Sequence, residues 1–522
     1  MLKFKKINIP YLPIILILAF LLRVMFLGTI PNGFFTDEAS NAYDAYSILH
    51  TLRDQYGEFL PRYFKSANDY REGLYMYLMV PFIKIFGLNP FGARITSAVI
   101  GTLTVFVVYH LAKEIFNQKI GLLSALFLAI LPWHIHFSRT TFRAILLPCL
   151  FCLSLLFFVK SFKQPKWLVF SSLLFGISIY TYNSARVFIP LFMLGLGAIY
   201  WEHLWKNRNH TILGLIAFLI IFIPQLIYQL SPEGMARADA VGIQTDINKI
   251  ISDYLSYFSP DFLFFKGDPI PRHTINKMGE LYSFQIPLLI IGIIELIRNK
   301  NSSKWILFLW LFLYPIPAAF ISPYSAVRTL AATPLFAILS GYGTIQLIDF
   351  CKGKIKMIVT FIMISVIFAN LAIYSKRYFV EYPRWHSDVW LSTLGETINY
   401  ADKTSYKCII YSSNAYSEYA YIMIPFFTKM PPANYHKLGI DIVENKLDMG
   451  RWKVENLEKK IDDLNTNCLY LLYNGPNPEN NTIFKGKDGG ILYEKYQEKL
   501  IYSPKDLNGV EQYRLVELKK QS

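Results

Sequence analysis

Tyr11-Leu-Pro-Ile-Ile-Leu-Ile-Leu-Ala-Phe-Leu-Leu-Arg-Val-Met-Phe-Leu-Gly28 is the first membrane-length apolar run of the chain. Two adjacent carboxylates, Asp37 and Glu38, follow it in the stretch Gly33-Phe-Phe-Thr-Asp-Glu-Ala-Ser40. Charges at the mouth of a membrane span are costly to place, so the pair suggests chemistry. Acidic residues also favour helix N-termini, so a helix cap is the alternative interpretation.

Composition places the chain among helical membrane proteins that cross the bilayer many times. Of 522 residues, 53% are hydrophobic and 16% aromatic, and long apolar runs are separated by short basic clusters. Most of the basic residues behind the net charge of +15 lie in these connectors, as topology requires, which argues against nucleic-acid binding. No small-residue cleavage site follows the first run, so we expect a signal anchor that stays in the membrane.

The apolar runs predict about eleven transmembrane helices. The candidate spans are residues 11–28, 94–111, 120–135, 145–159, 167–182, 187–201, 212–230, 284–297, 305–321, 329–348 and 355–374. Alternate connectors carry the lysines and arginines, which predicts an inside N-terminus and places everything after Tyr374 outside.

The first outer loop is predicted to run from Thr29 to about Ala93. It includes the apolar segment 73–88, which is short and contains Pro81 and Lys84, so we expect a helix lying in the outer interface rather than a span. Long loops with many aromatic and charged residues usually carry function.

Cations and carboxylates meet at this predicted outer face. A carboxylate can take a proton from an acceptor hydroxyl or amine, and arginines can hold a departing phosphate. Arginines at helix ends also extend to lipid head groups, and sequence gives their sidedness without their distances. The candidate residues are Asp37, Glu38, Arg71, Arg94, Arg139, Arg272, His273 and Arg328.

Three strings carry a family resemblance: Phe35-Thr-Asp-Glu-Ala39, Ile85-Phe-Gly-Leu-Asn-Pro-Phe-Gly-Ala-Arg-Ile-Thr-Ser-Ala98 and Tyr109-His-Leu-Ala-Lys-Glu-Ile-Phe116. The chain resembles the protein O-mannosyltransferase and lipid A aminoarabinose transferase superfamily, polyprenyl-phosphate-dependent glycosyltransferases of the C-type membrane fold. The resemblance covers residues 1 to about 375 in outline. It implies a multi-pass cell-membrane enzyme in contact with lipids, with a polyprenyl-phosphate-linked sugar donor and an extracytoplasmic site; the acceptor (protein, lipid or glycan) stays open.

The resemblance also assigns roles to single residues. It implies that Asp37 is the catalytic base and that Glu38 is its neighbour in the motif. Arg94 matches a basic position at the outer start of the second span, and Arg139 matches the family's Ser-Arg string in the second outer loop. Related enzymes often carry Lys-Pro-Pro or His-Pro-Pro before the interfacial helix; this chain departs from them with residues 69–73, where Arg71 is the substitute.

The fourth outer loop, residues 231–283, mixes aromatic, cationic and acidic side chains. That composition suits a grip on a lipid phosphate, with Arg272 and His273 as donors, and an interfacial aromatic belt is the alternative. His134 and His136 have no third metal ligand in the sequence, so we assign no metal site and leave a divalent cation open. No other cofactor is expected.

Beyond Lys376 the chain becomes polar and charged. Strand-like runs at residues 407–412 and 468–473 alternate with helical patterns at 389–400 and 454–464. We therefore predict a transmembrane domain over 1–375 and an extracytoplasmic soluble α/β domain over 376–522. Of the five cysteines, only Cys408 and Cys468 are placed to pair.

An alternative function is a transporter or flippase for a lipid-linked or anionic solute. In that case the outer charges would form a substrate vestibule. The predicted spans are poor in acidic residues and show no evident inverted repeat, which favours the glycosyltransferase.

Overall fold

The computed structural model describes residues 11–66, 69–235, 242–275, 277–412, 417–440, 447–455, 464–474 and 496–520. Its α-helices are α1 (Tyr11–Val24), α2 (Thr36–Thr51), α3 (Leu74–Phe86), α4 (Pro90–Ile115), α5 (Gln118–Ile130), α6 (Pro132–Phe137), α7 (Leu146–Ser161), α8 (Trp167–Ser178), α9 (Ala185–Ile199), α10 (Trp201–Lys206), α11 (Arg208–Gln229), α12 (Ile247–Ser256), α13 (Gln285–Arg298), α14 (Lys304–Leu313), α15 (Ile316–Ala319), α16 (Thr333–Phe350), α17 (Gly353–Lys376), α18 (Tyr382–Trp385), α19 (Leu394–Lys403), α20 (Ser417–Phe427) and α21 (Pro432–Leu438). Short 3-10 turns form at Arg143–Ile145 and Leu330–Ala332, and π turns form at Asp261–Phe265 and Arg377–Glu381.

The strands are β1 (Tyr63–Ser66), β2 (Asp69–Glu72), β3 (Ile409–Ser412), β4 (Asp448–Met449), β5 (Trp452–Glu455), β6 (Leu469–Tyr473), β7 (Tyr496–Tyr502) and β8 (Tyr513–Lys520). Contacts within the chain divide these elements into two compact units. The first unit contains Met1–Met25 and Ser97–Arg377, and the second contains Phe26–Thr96 and Tyr378–Ser522. The predicted division at residue 376 stays a prediction; the contacts add that residues 26–96 group with the C-terminal residues.

Apolar helices are the main feature of the chain. Helical segments at Pro90–Ile115, Arg143–Ser161, Arg208–Gln229, Leu330–Phe350 and Gly353–Trp385 are long and apolar enough to cross a membrane. Six shorter apolar helices accompany these five in the described residues. The chain therefore has the helix pattern of a multi-pass membrane protein, as predicted, while the count of about eleven spans and the sidedness stay predictions.

Small residues let helices of the first unit approach closely. A Cβ added to Gly292 of α13 would lie 2.5 Å from the Leu339 carbonyl oxygen, and one added to Gly343 of α16 would overlap the Leu288 carbonyl oxygen. Such contacts between glycine and a facing backbone are common where membrane helices pack. Buried hydroxyls in these helices, such as those of Ser124 and Thr344, donate to the carbonyl four residues earlier.

The helix observed at the predicted span 94–111 extends beyond its apolar run at both ends. It begins at Pro90, because proline fits the first turn of a helix and the Asn89 side chain accepts from the Gly92 amide at 2.9 Å. At its other end it continues through Ile115.

The segment 73–88 forms α3, whose 13 residues are fewer than the roughly 20 that a transmembrane helix needs.

The second unit contains two sheets. β1 and β2 form an antiparallel hairpin in the first predicted loop. The larger sheet has the order β4-β5-β3-β6-β8-β7, in which β3 pairs in parallel with both β5 and β6 and the other pairings are antiparallel. Parallel neighbours need crossover connections, and α20 and α21 occur between β3 and β5 in the chain.

Strands form at both runs that the sequence predicts, as β3 and β6. The helical predictions were less accurate. The helix expected at 389–400 begins five residues later, at Leu394, because residues 387–393 form turns. In the pattern 454–464, Val454 and Glu455 belong to β5 because they pair with β3, while residues 456–463 lie outside the described residues.

Cys408 and Cys468 form a disulfide, as predicted. The two residues directly precede the parallel neighbours β3 and β6, with 60 positions between them in the sequence. The bridge lies beside a core built from Ile410, Tyr470, Leu472 and Val516. The link therefore joins two central strands of the larger sheet.

Candidate active site

The two acidic residues lie in the first turn of α2 and differ in burial. Asp37 is exposed, whereas Glu38 is fully buried. The Glu38 carboxylate accepts from the backbone amide of Phe35 at 3.3 Å, so Glu38 caps its own helix. The capping interpretation therefore holds for Glu38, and Asp37 presents the accessible carboxylate.

Arg94 is the partner of Glu38. Its Nε donates to Glu38 Oε1 at 2.9 Å and its Nη2 to Glu38 Oε2 at 2.8 Å, a bidentate pair with both side chains buried. The remaining N–H groups donate to the carbonyls of Leu27, Pro31 and Gly33. All five guanidinium protons are thus used, and a donor phosphate would have to displace these partners.

Two aromatic rings pack near the same guanidinium. The Arg94 Cζ atom lies 5.3 Å from the ring centre of Phe34 and 5.8 Å from that of Trp390, a residue of the C-terminal region. Gly33 makes this approach possible, since a Cβ there would overlap the Trp390 carbonyl oxygen. The acidic turn and its arginine are therefore held by a shell that the C-terminal residues help to build.

Arg71 forms a second buried cluster on α2. Its Nη1 donates to Asn41 Oδ1 at 2.6 Å, and its Nη2 donates to Ser40 Oγ and Asp44 Oδ2, each at 2.8 Å. Its buried Nε has no hydrogen-bond acceptor among the described residues. Arg71 therefore holds β2 against α2 and keeps one donor without a partner, unlike Arg94.

Burial changes the ionisation of carboxyl groups in this cluster. It raises the pKa of Asp44 to about 8, although the charge of Arg71 and a hydrogen bond from the Gln55 amide oppose the shift. Burial also raises the pKa of Asp54, whose carboxylate accepts from the amides of Tyr56 and Glu58. These acids fix the fold of the first loop.

The first unit contains the other predicted cations. His273 Nδ1 donates to Asp268 Oδ2 at 3.1 Å, and the same oxygen accepts from the Ala326 amide at 2.8 Å. Arg328, two residues further on, donates to the hydroxyls of Ser322 and Ser325. Asp268 thus joins the loop of His273 to the loop of Arg328.

A third loop is tied to the same group. His136 Nε2 donates to the Arg272 carbonyl at 2.7 Å, so the loop of His136 and Arg139 is bonded to the loop of Arg272 and His273. Burial and the charge of Asp268 raise the pKa of Glu280 well above its usual range, and its carboxyl accepts from the Asp268 amide. The predicted cations of the second, fourth and fifth loops therefore lie on connected loops.

Arg139 has partners at the end of the first helix. It is fully buried, and its Nη1 and Nη2 donate to the carbonyls of Leu22 and Met25 at 3.0 and 2.7 Å. Arg23, near the end of α1, donates through Nη2 to His134 Nδ1 at 2.8 Å. Carbonyls in the last turn of a helix lack intrahelical donors, so Arg139 supplies donors at the end of α1.

Gly33 and Trp390 were not predicted as neighbours of the site residue Arg94. Nothing in the local pattern links Gly33 to Trp390, because more than 300 residues of chain separate them. Within the described residues, no group of three or more histidine, cysteine, aspartate or glutamate side chains is placed to hold a metal ion.

Comparison with known proteins agrees with the resemblance. Residues 74–228 match the family of dolichyl-phosphate-mannose-protein mannosyltransferases. The crystal structure of ArnT from Cupriavidus metallidurans bound to undecaprenyl phosphate is 12% identical, covers 97% of each chain and gives a TM-score of 0.61; its apo state gives 0.58. Among curated proteins, none matches the chain.

An archaeal oligosaccharyltransferase has a similar fold. AglB from Archaeoglobus fulgidus, in complex with an inhibitory peptide and a dolichol-phosphate, is 12% identical with a TM-score of 0.52. The alignment covers 96% of this chain and 73% of AglB. The chain has the C-type glycosyltransferase fold. The predicted resemblance is thus confirmed, and of the predicted site residues Arg94 and Arg139 lie inside the segment that matches the family.

Proposed function

We propose that this chain is an integral-membrane glycosyltransferase that transfers a sugar from a polyprenyl-phosphate donor to an acceptor. The observation that carries the proposal is the exposed Asp37 carboxylate beside the buried Glu38–Arg94 pair, in a chain with the C-type fold. The pair fixes the turn, and Asp37 is left accessible to substrate. The proposed site faces the extracytoplasmic side, where an oxidising compartment would suit the disulfide.

The proposed reaction is a single displacement. Asp37 accepts a proton from the acceptor hydroxyl or amine as that group attacks the anomeric carbon of the sugar. The new bond forms while the bond from that carbon to the phosphate oxygen breaks, and the polyprenyl phosphate leaves with the electron pair. Attack from the opposite face would invert the anomeric carbon.

The departing phosphate needs cationic donors. Arg272, His273 and Arg328 are half-buried residues on hydrogen-bonded loops of the first unit, which supports a shared role in holding it. Among the described residues, Arg71 Nε is a buried donor without an acceptor, which supports phosphate binding by this side chain. The partners of Arg94 and Arg139 favour a role in positioning the chain, and phosphate binding by these two stays a prediction.

The proposal predicts that Asp37→Asn lowers transfer by about 100-fold or more, since a general base contributes roughly 10² to 10⁴ in rate. Purified full-length protein would be given undecaprenyl-phosphate mannose or undecaprenyl-phosphate aminoarabinose with envelope extract as acceptor. Release of undecaprenyl phosphate is measured because every acceptor yields this product. Asp448→Asn, which neutralises an exposed carboxylate of the larger sheet, is the control. Transfer at the wild-type rate by folded Asp37→Asn protein would show that Asp37 is not the base.

A further inference from the structure

One short helix of the first unit exposes a stripe of apolar side chains. In α12, three residues spaced four positions apart lie on the same side of the helix. They are Ile247, Ile251 and Leu255, with 62%, 51% and 59% of their surfaces exposed. Removing apolar surface from water is favourable, so a continuous exposed stripe indicates a surface that binds another apolar partner.

The other sides of α12 show how the helix is oriented. One side packs on the protein through the buried Asp253 and the half-buried Tyr254. The side beyond the stripe is polar and exposed, at Asn248, Lys249 and Ser252. An apolar stripe beside a polar exposed face is the pattern of a helix that lies in a membrane interface. The ten residues of α12 are too few to span a bilayer.

Hydrogen bonds place α12 beside a predicted membrane span. The Tyr254 hydroxyl donates to the Phe312 carbonyl at 2.9 Å, and the Gln244 amide, in the segment before α12, donates to the Phe320 carbonyl at 2.8 Å. Both carbonyls belong to the predicted span 305–321, and Phe312 and Phe320 are themselves exposed. Because α12 lies beside a segment that is expected in the bilayer, lipid acyl chains are the apolar partner available to its stripe.

The end of α12 is bonded to the loop of Arg328. Tyr257 directly follows α12 and is fully buried. Its hydroxyl donates to the Ser322 carbonyl at 2.6 Å and accepts from the Ser325 amide at 3.2 Å. The hydroxyls of the same two serines accept from Arg328. The position of α12 therefore influences the position of Arg328.

We propose that α12 docks its apolar stripe among the acyl chains of the outer leaflet and so holds the loop of Arg328 at the depth of the lipid head groups. The phosphate of a lipid-linked donor lies at that depth, where a guanidinium can bind it. The docking follows from the three faces of α12, whereas the effect on Arg328 rests on the proposed function.

Spin labels on single cysteines test the docking without any activity. Ile251→Cys and Ser252→Cys are made in a Cys351→Ser background, because Cys149 and Cys152 are buried. In phosphatidylcholine nanodiscs without polyprenyl lipid, oxygen, which concentrates among acyl chains, should relax the label at position 251 more strongly. A water-soluble nickel chelate should relax the label at position 252 more strongly. Equal access of the nickel chelate to both positions would overturn the docking. Shielding of position 251 from both reagents would also overturn it, because a protein surface would then cover the stripe.

The transfer assay tests the link to Arg328. The double variant Ile251→Asn, Leu255→Asn makes the stripe polar, and Ser252→Asn is the matched control on the polar face. One hydrogen bond to a charged group contributes about ten-fold or more to binding, so misplacing Arg328 should raise the donor KM by about three- to ten-fold, with kcat changed less. The control should keep the wild-type donor KM. An unchanged donor KM in the double variant would overturn the link. If the wild-type protein transfers no sugar, the proposed function fails, and the spin labels still test the docking.

Discussion

Asp37 and Glu38 are adjacent in the sequence but lie in opposite environments. Glu38 accepts two guanidinium N–H groups of Arg94 in a fully buried pair, whereas Asp37 is exposed on the same helical turn. Taking two charges out of water is costly, and the bidentate geometry together with the carbonyl partners of Arg94 offsets that cost. Removing one charge would leave the other buried without its partner.

Glu38→Gln should therefore destabilise the protein by about 3–5 kcal/mol, the range observed when one partner of a buried pair is removed. The measurement is thermal unfolding in detergent, with Asp37→Asn as the control because Asp37 is exposed. Pairing Glu38→Gln with Arg94→Met should recover part of the loss, since no unpaired charge then remains. Equal stability of Glu38→Gln and Asp37→Asn would contradict the structural role of Glu38.

At the element scale, the link before α2 depends on Gly33. Its φ of +112° is a conformation that L side chains rarely adopt, and a Cβ there would lie 2.7 Å from Ser392 Cα and overlap the Trp390 carbonyl oxygen. The turn at residues 387–393 therefore passes directly over the entry to the acidic helix. Backbone atoms cannot move aside as a flexible side chain can.

Gly33→Ala should destabilise the second unit more than a change of φ alone would. Gly450→Ala, at a φ of +77° with no heavy atom within 4 Å of the added Cβ, is the matched control and should cost about 1–2 kcal/mol. We expect Gly33→Ala to exceed that by at least about 2 kcal/mol, a usual cost of overpacking. Thermal unfolding measures the loss of stability in each variant, and limited proteolysis reports on residues 26–96. Equal losses of stability in Gly33→Ala and Gly450→Ala would refute the predicted overlap.

At the scale of the whole molecule, one covalent link closes a long segment. The Cys408–Cys468 disulfide removes conformations from the unfolded chain between two central strands, and a loop of 60 positions predicts about 4 kcal/mol of stabilisation in the chain-entropy model. Cys408→Ser should lower the unfolding free energy by about that amount, as should reduction of the wild type.

Thermal unfolding with and without a reductant measures this effect. Cys351→Ser, which changes a half-buried free cysteine, is the control and should leave the reductant sensitivity intact. If Cys408→Ser protein unfolded at the wild-type temperature, the disulfide would contribute nothing to stability. If reductant lowered the unfolding temperature of Cys408→Ser as much as that of wild type, another bond would be responsible.

Sequence patterns alone were enough to predict the class of protein, the family resemblance, two strands of the C-terminal sheet and its disulfide. These features depend on local properties: apolar length, motif strings, β-branched and aromatic runs and the scarcity of cysteine. Helix bounds were less certain, because residues such as Asn89 and Pro90 extend a helix beyond its apolar run.

Two features become visible only in the folded chain: the different environments of Asp37 and Glu38, and the grouping of residues 26–96 with the C-terminal residues. Glu38 pairs with Arg94, 56 positions away, and the Arg94 guanidinium lies near the ring of Trp390, about 300 positions further along the chain. Contacts at such separations follow from packing of the folded chain and leave no periodic trace in either segment. The acidic motif can be recognised in the sequence, but the burial of Glu38 and the exposure of Asp37 are seen only in the folded chain.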